Sequence, residues 1–568
     1  MSRHRLYQNY DYEDELSDYD GQGAQDEEED ELSPEDRKQM TEATAEVLSA
    51  LGLQSDKITV QQIQEALWHY YYDVDKSVAY LINKYIDPPK KEAKPKAKPA
   101  TPASDAGKKT AKPSKHVTDT ASELNKLKIA DAAPLPKSKN LDVLREYNGS
   151  ERKKELSFVV VGHVDSGKST MLGRLLLDMN VVDQRTIDKY QKEAEKSGKS
   201  SFALAWVLDS KTEERARGVT MDIGTNHFET DATMLTLIDA PGHRDFIPNM
   251  LAGVGLADFA VLVVDAAKGA FEAGLKGQTR EHALLLRSMG VFRIIVAVNK
   301  LDTTEWDTER FTEIQDQILG SLKALKFPLK DISFVPVSGL QGDNIVRRST
   351  HKAASWYTGP TLLEELEKSE PITKTEDHSK PLRVMITDLW DTPQSAVTIS
   401  GRIEAGSVQI GDAVLVQPSG EKAYIKAIER SGQPDPVDWA VAGQQVVLYL
   451  SHIDEINVHI GDVICSVSDP VACVNMFTMR ALAFDTFFPM PVDLHRGRLA
   501  APAFIRELTA TLDIQKGTII KKKPQIIKAG TVGRVRVRIE EGAKLPLEKG
   551  QRVILRSEGS TVAAGLIE

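Results

Sequence analysis

A nine-residue segment that contains the spacing G-x-x-x-x-G-K-S follows a short apolar run and could bind the phosphates of a nucleotide. Gly162 and Gly167 would let backbone amides wrap closely around phosphate oxygens, and Lys168 would reach the β and γ phosphates. Ser169 would hold Mg²⁺, and the helix that starts near Gly167 adds its positive end to the same site. The predicted loop is Gly162, His163, Val164, Asp165, Ser166, Gly167, Lys168, Ser169 and Thr170.

A second apolar strand, residues 235–239, ends in the spacing D-x-x-G. Asp239 stands where the shell of a bound Mg²⁺ needs a carboxylate, acting through water, and Gly242 supplies an amide for a γ-phosphate. The sequence therefore predicts a triphosphate with its metal ion at the ends of these strands.

Two later strands indicate which base is bound. Residues 292–298 lead into an N-K-x-D motif, and the Asp302 carboxylate could accept two hydrogen bonds from the N1 and N2 edge of guanine, which adenine does not offer. Residues 332–337 end where a backbone amide could complete the pocket, so GTP is the predicted nucleotide. The predicted guanine-binding residues are Asn299, Lys300, Asp302, Ser338, Gly339 and Leu340.

Motifs of these types in this order resemble those of the translational GTPases, in the branch of eukaryotic elongation factor one alpha. The resemblance covers roughly residues 151 to 568. It implies that Thr220 is the switch-one threonine on Mg²⁺, that His243 orients the attacking water, and that two small barrels follow the GTPase domain. The matching segments are 162–170, 214–223, 239–245, 299–302 and 337–344.

Composition indicates several domains and a reducing compartment. At 568 residues, a typical size of about 150 residues per domain suggests three or four folded units. The net charge is −11, and residues 11–36 hold 14 Asp or Glu, which favours disorder at the front of the chain. Cys465 and Cys473 have neither disulfide nor zinc spacing. No signal peptide or membrane span is predicted, so we expect a cytoplasmic protein with no membrane contact. We also expect it to be a monomer.

Helical periodicity and then a change in composition mark the region before the GTPase motifs. Capping residues and apolar spacing predict three short helices in residues 33–87, as in small bundles that bind other proteins. Residues 88–150 are rich in Lys, Pro and Ala and predict a disordered linker.

After about residue 375, short apolar strands alternate with glycine turns, which is an all-β pattern. The predicted fold is an α/β P-loop GTPase domain followed by two small β-barrels, preceded by a small three-helix bundle and a disordered linker. The predicted boundaries are an acidic tail at 1–32, the helical module at 33–87, the linker at 88–150, the GTPase domain at 151–375, and barrels at 376–472 and 473–568.

Two segments of the sequence indicate which kind of translational GTPase this chain resembles within that branch. The tRNA-carrying relatives have paired arginines before a glycine of the second domain, whereas residues 457–462 here read N-V-H-I-G-D. Residues 67–81 resemble the N-terminal module of the Hsp-seventy subfamily B suppressors, the ribosome-rescue GTPases that partner Pelota. The resemblance implies a GTPase, with GTP and Mg²⁺, that delivers a Pelota-type release-factor relative to stalled ribosomes. By the same resemblance, GTP hydrolysis would precede dissociation of the ribosomal subunits, as part of no-go and non-stop mRNA decay.

Two other functions stay open at the level of sequence. A peptide-release GTPase of the release factor three type would share the residues around His243, but it typically has Lys where this chain has Arg244. A non-hydrolysing scaffold could use the same fold to link ribosomes to the RNA exosome. Intact Lys168, Thr220, Asp239 and His243 argue against the scaffold.

Overall fold

The computed structural model describes residues 135–150, 152–196, 203–208, 222–433, 435–513, 516–540 and 542–568. It also describes six single residues, Ala43, Thr44, Val47, Ile63, Glu214 and Thr220. Of the predicted three-helix bundle, Val47 and Ile63 are helical and fully buried. The rest of the bundle, the acidic tail and linker residues 88–134 lie outside the described residues. The chain divides into two compact units, Met1–Lys126 and Leu127–Glu568.

A six-stranded sheet with the order β2-β3-β1-β4-β5-β6 forms the centre of the GTPase domain. Strand β2 is antiparallel to β3, and the other neighbours are parallel. Strands β4 and β5 are apolar almost throughout, because a parallel sheet is covered on both faces, whereas the antiparallel edge strand β2 is mostly polar. Their bounds are β1 Lys154–Gly162, β2 Gly224–Glu229, β3 Thr233–Asp239, β4 Phe259–Asp265, β5 Ile294–Asn299 and β6 Ile332–Pro336.

Helices cover both faces of this sheet. Alternate side chains of β1 point to opposite sides, so Val159 and Val161 join one buried cluster while Phe158 and Val160 join the other. Helices α4, α6 and α7 cover the first face, and α2 and α8 cover the second. The helices are α1 Val143–Gly149, α2 Lys168–Asp178, α3 Gln184–Lys196, α4 Ile247–Gly255, α5 Ala270–Lys276, α6 Gln278–Met289, α7 Thr308–Ala324 and α8 Leu362–Lys368.

The middle domain is a closed barrel of six antiparallel strands. It closes because β10 pairs with both β15 and β11, and β12 (Pro436–Val437) adds to its edge. A separate two-stranded sheet joins β9 (Ser407–Gln409) to β13 (Trp439–Val441). The barrel strands are β7 Arg383–Thr392, β8 Ser395–Ala405, β10 Ala413–Gln417, β11 Glu421–Arg430, β14 Gln445–Ser451 and β15 Val463–Ser466.

The C-terminal domain repeats this architecture with its own buried core. Strand β18 pairs with both β23 and β19, which closes the barrel, and β20 (Ile519–Lys522) adds to β19. Strands β16 (Cys473–Val474) and β22 (Leu545–Pro546) form a short pair. The barrel strands are β17 Met476–Ala483, β18 Pro491–Arg496, β19 Leu499–Leu512, β21 Val532–Ile539, β23 Arg552–Ser557 and β24 Ser560–Ile567. The predicted GTPase fold and both barrels are confirmed.

The prediction of a disordered linker is wrong for residues 135–150. Helix α1 packs on the middle domain, where the Tyr147 ring lies edge-on to His378 at 4.6 Å. The Leu141 amide donates to Gln409 Oε1 at 2.9 Å. The segment has one aromatic residue and a few aliphatic ones, too few to predict from sequence that it is ordered. Its order depends on contacts with a surface nearly 300 residues away in the sequence.

None of the helices among the described residues is both long enough and apolar enough to cross a bilayer.

Candidate nucleotide-binding site

A cavity of about 320 Å³ opens at the carboxyl edge of the parallel strands. The ends of β1, β3 and β5 meet there, since parallel strands bring their carboxyl ends to one edge of the sheet. Among the predicted site residues, those that line the cavity are Val164, Asp165, Gly167, Lys168, Ser169, Thr170, Thr220, Gly242, His243, Asn299, Lys300, Asp302, Gly339 and Leu340. Of the others, His163, Ser166 and Ser338 are adjacent to lining residues, and Gly162 and Asp239 are the last residues of β1 and β3, whose following loops line the cavity.

Close backbone contacts explain the glycines of the phosphate-binding loop. A Cβ atom on Gly162 would lie 2.3 Å from the Val263 carbonyl oxygen, which is a backbone atom and cannot yield. Gly167 has φ +84°, in the left-handed region, and a Cβ there would lie 2.5 Å from Asn299 Nδ2. Any other residue at either position would distort the loop.

Lys168 is buried beneath the loop. Its Nζ donates to the carbonyl oxygens of Gly162 at 3.1 Å and His163 at 2.9 Å. Burial lowers the pKa of Lys168 to about 8, although the charges of Asp239 and Asp165 favour the ammonium form. A β or γ phosphate would replace these carbonyls with a full negative charge, so it would strengthen the charged state of the lysine.

Three oxygen-bearing side chains converge beside Lys168. Thr220 Oγ1 lies 3.5 Å from Ser169 Oγ and 3.5 Å from Asp239 Oδ2. Hydroxyl and carboxylate oxygens are the ligands that Mg²⁺ prefers, and the ion would complete its shell with phosphate oxygens and water. The residues therefore fit the ion, which would neutralise charge between the β and γ phosphates when bound.

Asn299 connects two of the loops that line the cavity. Its Nδ2 donates to the Ser166 carbonyl at 2.9 Å, and its Oδ1 accepts from the Gly339 amide at 2.8 Å. The Gly339 amide thus already has a partner, and the next residue, Leu340, also lines the cavity.

Lys300 joins the same network from the other side. Its Nζ donates to the Asp165 carbonyl at 2.7 Å and lies 2.7 Å from Asp265 Oδ2 at the end of β4. Asp302 lies in the turn that follows and lines the cavity. Asn299 and Lys300 thus hold the pocket in shape, and Asp302 remains the residue predicted to read the base.

His243 lines the phosphate end of the cavity. Its Nδ1 lies 3.3 Å from the Asp245 amide and 3.4 Å from Asp245 Oδ2, and its side chain is 43% exposed. Asp245 therefore fixes the ring through Nδ1 whichever nitrogen carries the proton, which leaves Nε2 for a water molecule. Nothing in the motif predicted this contact with Asp245.

Sequence reasoning also missed residues that line or support the cavity. Thr303 lines it and directly follows Asp302, so the motif itself could have found it, whereas Ala205 comes from a segment with no such motif. Behind the loop, Gln278 Oε1 accepts from the Val164 amide at 3.3 Å. His282 in the same helix is buried, and desolvation, with Lys168 nearby, lowers its pKa to about 3, so it adds no charge to the site.

Comparison with known families assigns most of the chain. A family model described as "Elongation factor Tu GTP binding domain" matches residues 153–374. "Elongation factor Tu domain 2" matches 396–465, and "GTP-eEF1A C-terminal domain-like" matches 489–568. At the front, "HBS1 N-terminus" matches residues 8–91.

Curated relatives align along the same span or the whole chain. The "Elongation factor 1 alpha-like protein" of Schizosaccharomyces pombe is 36% identical and covers 100% of both chains. "Protein HBS1" of Drosophila melanogaster is 40% identical over 76% of this chain and 65% of its own length. "Elongation factor 1-alpha" of Thermofilum pendens is 36% identical over 74% of this chain and 98% of its own.

Solved structures share the fold at lower identity. The S. cerevisiae Ski7 GTPase-like domain, bound to GDP and inorganic phosphate, superposes with a TM-score of 0.62 at 21% identity. It covers 75% of this chain and 100% of its own. A bacterial selenocysteine-specific elongation factor gives a TM-score of 0.53 at 23% identity, over 73% of this chain and 58% of its own.

Proposed function

The chain belongs to the elongation factor 1 alpha family of GTPases, in the branch that carries an HBS1 N-terminal domain, and from this membership we propose that it delivers a Pelota-type release-factor relative to stalled ribosomes. GTP hydrolysis then precedes release of the partner and dissociation of the subunits, in the cytoplasm. The observation that carries the proposal is the domain order, in which an HBS1 N-terminus precedes an elongation-factor GTPase and two barrels.

The geometry of the cavity supports turnover. Lys168 would neutralise charge on the β and γ phosphates, and Ser169, Thr220 and Asp239 would hold Mg²⁺. His243, fixed by Asp245, would orient the water that attacks the γ-phosphate. These roles are proposals that agree with the positions of the side chains.

The middle barrel favours a protein over tRNA as the cargo. A tRNA-binding surface needs Lys and Arg to neutralise phosphates. The loop of residues 454–462 has neither, and presents Ile456 at 80% exposure and Ile460 at 50%. Burial raises the pKa of Asp462 in the same loop to about 6, although His459 favours its charged form. Exposed apolar side chains beside acidic ones suit a protein surface.

Binding by the full chain tests the proposed cargo. The purified protein, loaded with a non-hydrolysable GTP analogue or with GDP, is offered a Pelota-type protein, a peptide-release factor and the RNA exosome in separate arms. We expect retention of the Pelota-type protein, and at least about tenfold tighter binding with the analogue, as allosteric couplings of this size are ordinary. Selective retention of the release factor or the exosome would refute the assignment.

The front of the chain supplies a further prediction. The structure places residues 135–150 on the middle domain, so a truncation should end at residue 134. If residues 88–134 form the extended tether that their composition predicts, the N-terminal module reaches roughly 40 Å from its anchor. Deleting residues 1–134 should leave GTP affinity and partner binding unchanged but weaken ribosome attachment by about tenfold or more, because one of two linked contacts is lost.

Co-sedimentation with ribosomes and GTP titration on both proteins measure this directly. A control chain that carries a Gly/Ser sequence of equal length in place of residues 88–134 should attach like the parent. Loss of GTP binding in the truncation would show that the front end belongs to the GTPase fold, and unchanged sedimentation would show that the module serves another partner.

A further inference from the structure

The turn between β18 and β19 of the C-terminal barrel lies where all three folded domains meet. A Cβ atom on Gly497 would lie 2.6 Å from Met385 Sδ of the middle barrel. A Cβ atom on Gly255, at the end of α4, would lie 3.6 Å from Gly497 Cα. The turn is therefore packed between the GTPase domain and the middle barrel, with no space for a side chain at its centre.

Two arginines flank that glycine and contact different domains. Arg496 Nη2 lies 2.6 Å from Glu404 Oε2 of the middle barrel. Arg498 Nη2 lies 3.4 Å from Asp222 Oδ1 of the GTPase domain and 3.6 Å from Asp388 Oδ1 of the middle barrel. The Arg498 side chain is only 18% exposed, so it is held at this junction.

Asp222 belongs to the segment that approaches the phosphate-binding loop. It lies two residues after Thr220, whose Oγ1 is 3.5 Å from both Ser169 Oγ and Asp239 Oδ2. The Asp222 amide also donates to Glu214 Oε1 at 3.3 Å. One short segment thus touches the proposed magnesium position at one end and the C-terminal barrel, through Arg498, at the other.

We propose that Arg498 is a positioning residue that couples the C-terminal barrel to the nucleotide state through Asp222. With a γ-phosphate and Mg²⁺ bound, Thr220 is held and Asp222 stays within reach of Arg498. Loss of the γ-phosphate releases segments of this kind in GTPases, and Asp222 then leaves Arg498. Coupling between two sites is reciprocal. The contact between Arg498 and Asp222 therefore favours GTP binding by the same free energy by which bound GTP favours that contact.

The expected effect is moderate, because Asp222 is 42% exposed and Asp388 is 54% exposed, so water screens both contacts. Removing the guanidinium also leaves two carboxylates facing each other, which repels the Thr220 segment from the middle barrel. Both effects act against the GTP-bound arrangement, and we expect about a three- to tenfold loss of affinity for a GTP analogue.

The test is a double-mutant cycle on the full chain. Arg498→Gln and Asp222→Asn should each weaken binding of a non-hydrolysable GTP analogue by about three- to tenfold. Each should leave the affinity for GDP within about twofold of the parent value. The double variant should lose little more than either single one. Asp222→Asn keeps the oxygen that accepts from the Ile223 amide and leaves the barrel untouched, so it remains informative if Arg498→Gln fails to fold.

Three controls separate this coupling from a general loss of structure. Arg506→Gln changes an exposed arginine of β19, the strand that follows the turn, and Asp388→Asn removes the other acidic neighbour, so neither should alter the preference for the GTP analogue over GDP. Thr220→Ala should abolish that preference, because the inference rests on the place of Thr220 at the magnesium ion.

Several outcomes would overturn the inference. Equal losses of GTP-analogue and GDP affinity in Arg498→Gln would indicate packing alone, and additive effects in the double variant would disconnect Arg498 from Asp222. If Asp388→Asn weakened binding of the GTP analogue but not of GDP, the coupling would run through the middle barrel and not through Asp222. If Thr220→Ala keeps the preference, the assignment of Thr220 fails, whatever Arg498 does.

Discussion

Replacing His243 with alanine should leave GTP affinity nearly intact while removing most ribosome-stimulated hydrolysis. The ring lines the phosphate end of the cavity, and Asp245 holds its Nδ1, so its remaining nitrogen can orient water without contributing to ground-state binding. Groups of this kind contribute about 10² to 10⁴-fold to rate. Single-turnover hydrolysis on ribosomes and equilibrium binding of a GTP analogue separate the two quantities.

The matched control is His351→Ala, which removes an exposed histidine of the same domain. It should behave like the parent in both measurements. Equal stimulated rates in His243→Ala and the parent would refute the role, and a parallel loss of GTP affinity would show that the ring supports the fold of the loop.

Replacing Asp302 with asparagine should weaken GTP binding by about 10²-fold or more and shift the preference toward xanthosine triphosphate. One of the two hydrogen bonds to the carboxylate is lost and becomes a contact between two donors, the other loses its charge, and a hydrogen bond to a charged group is worth about 1.5–3 kcal/mol. The amide nitrogen that replaces one carboxylate oxygen is a donor, and it matches the 2-oxo group of xanthine. Competition binding with both triphosphates measures the change.

Asp316→Asn changes an exposed position on α7 of the same domain and is the control for the loss of one negative charge. It should bind GTP like the parent. Unchanged GTP affinity in Asp302→Asn would refute the assignment of Asp302 as the guanine-reading residue. Weaker binding of both GTP and xanthosine triphosphate would indicate that the turn had lost its structure.

The sequence located the cavity well because its motifs stand at strand ends. Gly162, Asp239 and Asn299 each end a strand of the central sheet, and parallel strands bring such ends together whatever the loops between them do. The roles within the motifs were harder to foresee. Asn299 also connects two loops, through partners that lie 133 and 40 residues away in the chain.

Contacts between domains could not be read from local patterns at all. Arg498 and Asp222 are 276 residues apart, and although Asp222 lies in the matched segment 214–223, nothing in that segment points to Arg498. The docking of Tyr147 on the middle barrel depends in the same way on His378, which only the folded chain brings near. Local composition predicted an unfolded linker there, and tertiary burial overrode that preference.

The most direct test of the central claim is GTP turnover on stalled ribosomes with an empty A site. The full chain is assayed alone, with a Pelota-type protein, and with aminoacyl-tRNA. Delivery of the protein cargo predicts fast hydrolysis only when ribosomes and the Pelota-type protein are both present, and none of that stimulation from aminoacyl-tRNA. Stimulation by aminoacyl-tRNA, with no contribution from the Pelota-type protein, would contradict the account.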